Sequence, residues 1–346
     1  MTIRLLRLWI PIGLLLLLIA VSFVLPGTHP HLFEQGPSYL KDEETGKLLA
    51  SPPYTPSEMG PMGSDKLGRN VFYVLIEGAK YTLLAAAAIA LIRMVGGFMF
   101  GLTYAFLPGW VRQVCKGLGD TFNFIPLAII AFVLLAPLQR AFETGSLYSM
   151  KFLVIQVIVI SVIVIPSLGM YIGEEMREFL KNDFISVSRQ IGAGRFFIIK
   201  RHLRSQFSRH AIVMLSEQLA QTLYLLIQLG ILHICLGGLK IVEFGILEPS
   251  PEYFSFINDW AATMSINIYQ VHLYPWLLLA PLAFFAAAIF CVNEINSVIK
   301  EVFIEGKSLR KPKKITVKPE TPPSSADNLF VLAGRENRRG NHHESI

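Results

Sequence analysis

Four side chains in one apolar stretch carry chemistry at a telling spacing: Glu217, Gln221, Tyr224 and Gln228 lie four, three and four residues apart. At about 100° per residue they fall on one narrow stripe of a helix. Against lipid a central charge would cost roughly 2.5 kcal/mol or more, so the stripe must face a pore or other helices. Hydrogen bonding between helices meets that demand, and so does a translocation path shared with a partner. Arg93 is the other expensive side chain. It lies about 20 Å from the nearer end of its apolar run at 1.5 Å per residue, too far for a direct pair with Asp120. Gln156 and Gln221 are at comparable depth, and Glu217 is within reach by snorkelling. Arg93 is therefore a candidate for the path, or a structural cation held by another helix.

Other combinations fall short of a site. His29 and His31 are two imidazoles without further ligands, so no metal is expected. Gly192-Ala193-Gly194-Arg195 lacks the spacing and the closing Lys-Ser/Thr of a phosphate loop. There is no H-E-x-x-H, nucleophile elbow or paired-cysteine motif. No catalytic residue is expected, and the chain shows no means of hydrolysing ATP.

The elements that must position these residues follow from composition. The 346-residue chain is 53% hydrophobic and only 16% charged, with a mean hydropathy of +0.49, which excludes an ordinary soluble domain. A helix needs roughly 20 apolar residues to cross the hydrocarbon core. Six stretches qualify: Leu5 to Leu25, Tyr73 to Phe106, Leu118 to Leu138, Phe152 to Tyr171, Ala211 to Cys235 and Leu273 to Val292. The first is expected to be a retained anchor, because Val24-Leu25-Pro26-Gly27 has no small-x-small cleavage site. The expected fold is an all-α polytopic membrane protein with six transmembrane helices.

Basic residues orient the spans. Arg4 and Arg7 open the first, Arg112 and Lys116 separate the second and third, and eight basic residues from Arg177 to Arg209 separate the fourth and fifth. Between the fifth and sixth, Lys240 stands against Glu243, Glu248, Glu252 and Asp259. A multi-pass protein of the cell (plasma or inner) membrane with both termini cytoplasmic is expected. The net charge of +6 is thereby explained without a nucleic-acid partner. Cys115, Cys235 and Cys291 give neither a disulfide framework nor a metal cluster. The domain plan is an anchor at 1–25, an extracytoplasmic loop at 26–72, a transmembrane domain at 73–300 with a cytoplasmic loop at 172–210, and a basic, Pro/Ser-rich tail at 301–346 of disordered composition. Arg310-Lys311-Pro312-Lys313-Lys314 in that tail could touch anionic membrane lipid.

Two segments carry a family resemblance. Met62-Gly63-Ser64-Asp65-Lys66-Leu67-Gly68-Arg69-Asn70-Val71-Phe72, followed by Glu77-Gly78-Ala79-Lys80, resembles the G-T-D-x-L-G-R-D-V-F…G-A-R signature of peptide/nickel-type permeases. These are subunits of binding-protein-dependent ATP-binding-cassette (ABC) importers, here of the second-permease (C-type) class. Within it, Gly63 and Gly68 suit tight turns, Asp65 and Arg69 can pair or cap at a helix start, and Leu67 completes the match. The cytoplasmic stretch Asp183-Phe184-Ile185-Ser186-Val187-Ser188-Arg189-Gln190-Ile191-Gly192-Ala193-Gly194, continuing to Arg201-His202-Leu203, resembles the E-A-A…G loop, whose short helix docks in a cleft of the ATPase. A helix from Phe184 to Ile191 ended by Gly192 fits C-terminal glycine logic, with Phe184, Ile185, Val187 and Ile191 as its apolar side and Gly194 allowing a redirection.

The second segment departs from the pattern. Ser186 stands for the motif Glu, Val187 and Ser188 for its two Ala, and Ser205 for the Pro after the basic pair, whereas Gly192, Ala193, Arg201 and His202 match. The resemblance implies a type I ABC importer permease fold, with span five lining the path. It also implies a second homologous permease subunit, two cytosolic ATPase subunits that hold ATP-Mg, and an extracytoplasmic solute-binding protein. No cofactor is expected on this chain, and the implied solute is peptide-like. The alternative is a degenerate, non-transporting homologue serving as a sensor or assembly partner.

Overall fold

In hydrocarbon every backbone amide must be satisfied within its own segment, so long apolar runs fold as helices. The structure, a computed structural model, describes residues 3–33, 40–41, 48–244 and 250–303. Helices α1 (Ile3–Thr28), α2 (Val71–Ala105), α5 (Ser149–Leu180), α8 (Arg204–Ile231) and α10 (Trp276–Phe303) each contain a segment long and apolar enough to cross a membrane, five among the described residues. Their outer faces expose Leu17, Phe23, Val95, Met99, Val154, Ile158 and Phe290, as lipid-facing helices do. Residues 304–346, with the Arg310–Lys314 cluster, lie outside the described residues.

The expected third span is not one helix. The chain breaks at Phe124–Pro126 into α3 (Gly109–Asn123) and α4 (Leu127–Glu143). Pro126 disfavours the helical region at Ile125 and has no N–H to donate. Arg112, Lys116 and Asp120 keep α3 polar, and Trp110 and Val114 are exposed beside them. The 17 residues of α4 extend about 25 Å at 1.5 Å per residue, so a sixth full span is not established.

Between α2 and α5 a seam of glycines replaces side chains. A Cβ on Gly101 would stand 2.8 Å from the Gly169 carbonyl oxygen, and one on Gly173 2.9 Å from the Gly101 carbonyl oxygen. Only small residues permit such backbone approach between membrane helices. Helix α1 is fixed to α10 by Arg7, whose Nη2 lies 3.0 Å from Glu294 Oε2 and whose Nη1 lies 3.6 Å from Glu301 Oε1.

The segment between α8 and α10 holds more structure than a loop. An antiparallel hairpin pairs β3 (Leu239–Phe244) with β4 (Ser250–Ser255), and the short helix α9 (Trp260–Asn267) is buried nearly throughout. Two further short strands, β1 (Leu40–Lys41) and β2 (Leu48–Ala50), pair antiparallel with each other. Asp259 caps α9, its Oδ2 accepting from the Ala261 amide at 3.2 Å. Trp260 donates from Nε1 to the Leu75 carbonyl at 2.7 Å, which ties α9 to α2.

Candidate translocation face and coupling loop

Helix α8 buries Val213, Met214, Ala220, Leu223, Leu226 and Leu229 against the rest of the chain. The opposite face carries the polar stripe. Gln221, Tyr224 and Gln228 are exposed, and Glu217 is partly exposed. Glu217 is paired with the Lys300 ammonium of α10 at 2.6 Å, and Gln221 Oε1 accepts from Gln218 Nε2 at 3.1 Å. Most of the stripe therefore faces outward from this chain's own bundle, on a helix of membrane-spanning length.

Arg93 is elsewhere. Its side chain is fully buried between α2, α5 and α8, where Nη2 donates to the Ile160 carbonyl at 3.0 Å and Nη1 to Thr222 Oγ1 at 3.1 Å. Thr222 Oγ1 in turn donates to the Gln218 carbonyl at 2.7 Å. Of the two roles open to Arg93, the geometry matches the cation held between helices. It is inside the bundle and does not share the exposed face of Glu217, Gln221, Tyr224 and Gln228. Gln156, at similar depth, is occupied with the backbone of Cys235 and Gly237 at 2.8 and 2.9 Å.

The signature around Gly63–Arg69 forms a clasp. Gly63 and Gly68 adopt φ of +72° and +75°, where glycine carries no Cβ penalty. Asp65 and Arg69 pair at 2.8 Å, and Asp65 Oδ1 also accepts from the amides of Leu67 and Arg69. The cap of α2 is Asn70, whose side chain accepts from the Phe72 amide at 3.0 Å. From the pair the network continues: Arg69 Nη1 donates to Asn258 Oδ1 at 3.4 Å and Asn258 Nδ2 donates to Glu77 Oε2 at 3.2 Å. A Cβ at Gly78 would overlap the Asn258 carbonyl. The signature thus joins the start of α2 to the residue preceding the α9 cap.

On the other side, α6 (Asp183–Gln190) follows α5 closely. It ends in a Schellman motif: Gly192 has φ of +98°, its amide donates to the Arg189 carbonyl at 3.0 Å and the Ala193 amide to the Ser188 carbonyl at 2.9 Å. The expected apolar side divides. Ile185 is fully buried, whereas Phe184, Val187 and Ile191 are exposed. Ser186 is exposed and Ser188 returns its hydroxyl to the Phe184 carbonyl at 2.8 Å. His202 packs between the rings of Phe184 and Phe197, at 5.8 and 6.1 Å, and Arg201 is exposed. Gly194 makes its turn without a positive φ, at −71°, so the redirection does not depend on glycine. After α7 (Arg195–Ile198) the chain passes through a π-helical turn, Ile199–Leu203, into α8.

Sequence reasoning missed Asp259. Burial pushes its carboxyl up to about 8 against the pull of the amides of Ala261, Ala262 and Leu236. Burial and the Asp259 charge raise the neighbouring Cys235 thiol well above its usual range. Close by, His233 adopts φ of 57°, hydrogen-bonds Ser265 and Tyr269 at 2.8 and 3.1 Å, and is lowered in basicity by burial. Asp before Trp-Ala-Ala was the available cue, an N-cap signal.

These features define an all-α polytopic membrane protein, and the comparisons with known proteins agree on its class. The chain is 23% identical over 241 residues to a Brucella abortus protein named as a peptide permease, covering 70% of this chain and 71% of that one. It is 24% identical over 211 residues to the glutathione transport system permease protein GsiD of Pectobacterium atrosepticum, covering 61% and 63%. It is 22% identical over 245 residues to the peptide transport system permease protein SapC of Escherichia coli, covering 71% and 73%. No family model matches. The relatives bear out the resemblance to peptide/nickel-type ABC importer permeases, and with the five apolar helices they support a multi-pass membrane protein of transport function.

Proposed function

We propose that this chain is one of two membrane-spanning halves of an ATP-driven importer and forms half of the path for a peptide-like solute. The observation that carries the reading is the outward stripe of Gln221, Tyr224 and Gln228 on α8, continued by partly exposed Glu217. Polar groups at membrane depth need a polar counterpart, and a second homologous permease enclosing an aqueous path supplies one. The exposed Phe184, Val187 and Ile191 of α6 suit docking to one of two cytosolic ATPases, which would hold ATP-Mg and perform the hydrolysis. An extracytoplasmic solute-binding protein would deliver the solute. The membrane is the cell membrane, with both termini cytoplasmic.

The test is cysteine accessibility. In a chain with Cys115, Cys235 and Cys291 replaced by alanine, single cysteines at Gln221, Tyr224 and Gln228 should react with a charged, water-soluble thiol reagent in the assembled complex, and solute should slow the reaction. Cysteines at the apolar exposed positions Val95 and Ile158 should not react. Equal reaction at all five positions would sink the proposal. The departures at Ser186, Val187 and Ser188 favour a second reading, a non-transporting homologue. Affinity purification separates the two, because the importer requires that a second permease and ATPases accompany the wild-type chain and that Gly192→Trp weaken the ATPase association.

A further inference from the structure

Where α2 ends, the chain lines a cavity of about 550 Å³ with arginines from four helices: Arg112 of α3, Arg177 of α5, Arg189 of α6 and Arg195 of α7. Their neighbours on its wall include Phe106, and the Arg195 guanidinium stands over that ring, 5.9 Å from its centre. One carboxylate answers these charges among the described ion pairs: Glu174, 3.2 Å from Arg177 Nη1. Its other oxygen accepts from the Tyr104 hydroxyl at 3.1 Å, so Glu174 is already committed. Among the described residues Arg112 has no such carboxylate partner. Its Nε and Nη1 are buried and lack a hydrogen-bond partner among the described residues.

A buried donor left unmet is costly, and more so when charged. Guanidinium groups set around one cavity suit a tetrahedral oxyanion, which offers acceptors on every side, better than a planar carboxylate with two oxygens. Arginine's fixed fork matches phosphate in pairs of bonds. We propose that this cavity is a binding site for a phosphate group, with Arg112 and Arg195 as its principal ligands. The phosphate belongs either to an anionic phospholipid headgroup or to a free anion. The apolar wall of Ala105, Phe106 and Leu107 gives a lipid's glycerol and acyl portion somewhere to lie. The site does not depend on the transport reading, since binding can be measured whether or not the chain transports anything.

The experiment uses the full-length chain purified in detergent, with two probes. Native mass spectrometry in an equimolar mixture of phosphatidylglycerol and phosphatidylcholine reads the lipid source. Thermal protection by inorganic pyrophosphate reads the free anion. In the wild-type chain, preferential retention of phosphatidylglycerol or saturable protection by pyrophosphate is expected. Arg112→Gln and Arg195→Gln should each weaken the occupied probe roughly tenfold, the loss of one charge-assisted contact. Arg112→Lys keeps the positive charge without the fork and serves if the neutral variant does not fold; it too should bind more weakly. Absence of both kinds of binding in the wild-type chain, or unchanged binding in folded variants, overturns the proposal. So does a variant that loses only a co-purifying ATPase, which would make the arginines a protein contact.

Discussion

Replacing Asp259 by asparagine should make the stability of this protein nearly independent of pH across a window where the wild type weakens. Asp259 is fully buried, its Oδ2 caps α9, and its Oδ1 has no hydrogen-bond partner among the described residues. Its carboxyl is raised from 3.8 to about 8, chiefly by burial. A group raised on folding contributes stability that is fully present below its unfolded value and is lost as pH climbs through the folded one. The wild type should therefore lose stability from about pH 4 to about pH 8, and level off above. At about 1.4 kcal/mol for each tenfold change in ionisation, the full loss is on the order of 5 kcal/mol. Asparagine keeps a capping oxygen and carries no charge, but it adds amide hydrogens that cost about 1–3 kcal/mol if unmet. The two proteins should be of similar stability at pH 5, where the wild type has already lost about 1.7 kcal/mol, and the variant should be the stronger at pH 9. Thermal unfolding in detergent, followed by tryptophan fluorescence with Trp260 adjacent to the change, reads both curves. Parallel curves from pH 5 to pH 9 would refute the reasoning.

Other substitutions probe the bundle. Gly101→Val places a side chain where the nearest atoms include the backbone of Gly169 and Gly173, at 2.8 and 3.1 Å; a loss of about 1–3 kcal/mol is expected, read as a lower unfolding temperature. Gly117→Ala, with nothing within 4 Å, should be near neutral in the same assay. Thr222→Val removes the acceptor for Arg93 Nη1 and should destabilise by roughly 1–3 kcal/mol, whereas Arg93→Met, which removes the buried charge itself, should cost less. The reverse order would mean that the cation is matched by more than a hydroxyl and a carbonyl. Gly192→Ala, at φ of +98°, should fray the end of α6 at a cost of about 1 kcal/mol, seen as faster amide exchange at Gly192 and Ala193.

Much of this architecture was legible because lipid imposes a simple rule on sequence. Apolar length located α1, α2, α5, α8 and α10, and the spacing of Gln221, Tyr224 and Gln228 placed them on one exposed face. Gly192 marked the end of α6 as glycine chemistry requires. What failed has equally physical causes. An apolar window running from Leu118 to Leu138 averages over the break at Pro126, so two helices looked like one. Helix α9 is buried nearly all round and is only 8 residues long, which leaves no amphipathic period to detect. The position of Arg93 was open because only tertiary packing decides whether a side chain at that depth turns toward a path or toward neighbouring helices.

The glycine seam between α2 and α5 has a mechanical side. With backbone lying directly on backbone at Gly101, Gly169 and Gly173, there is little side-chain padding to absorb displacement, and the two helices behave as one plate. Helix α6 hangs from the end of α5 by Lys181 and Asn182. A load applied to that short helix therefore meets the stiffness of a double beam, and whatever tilts α5 carries α2 and the clasp at its start along with it.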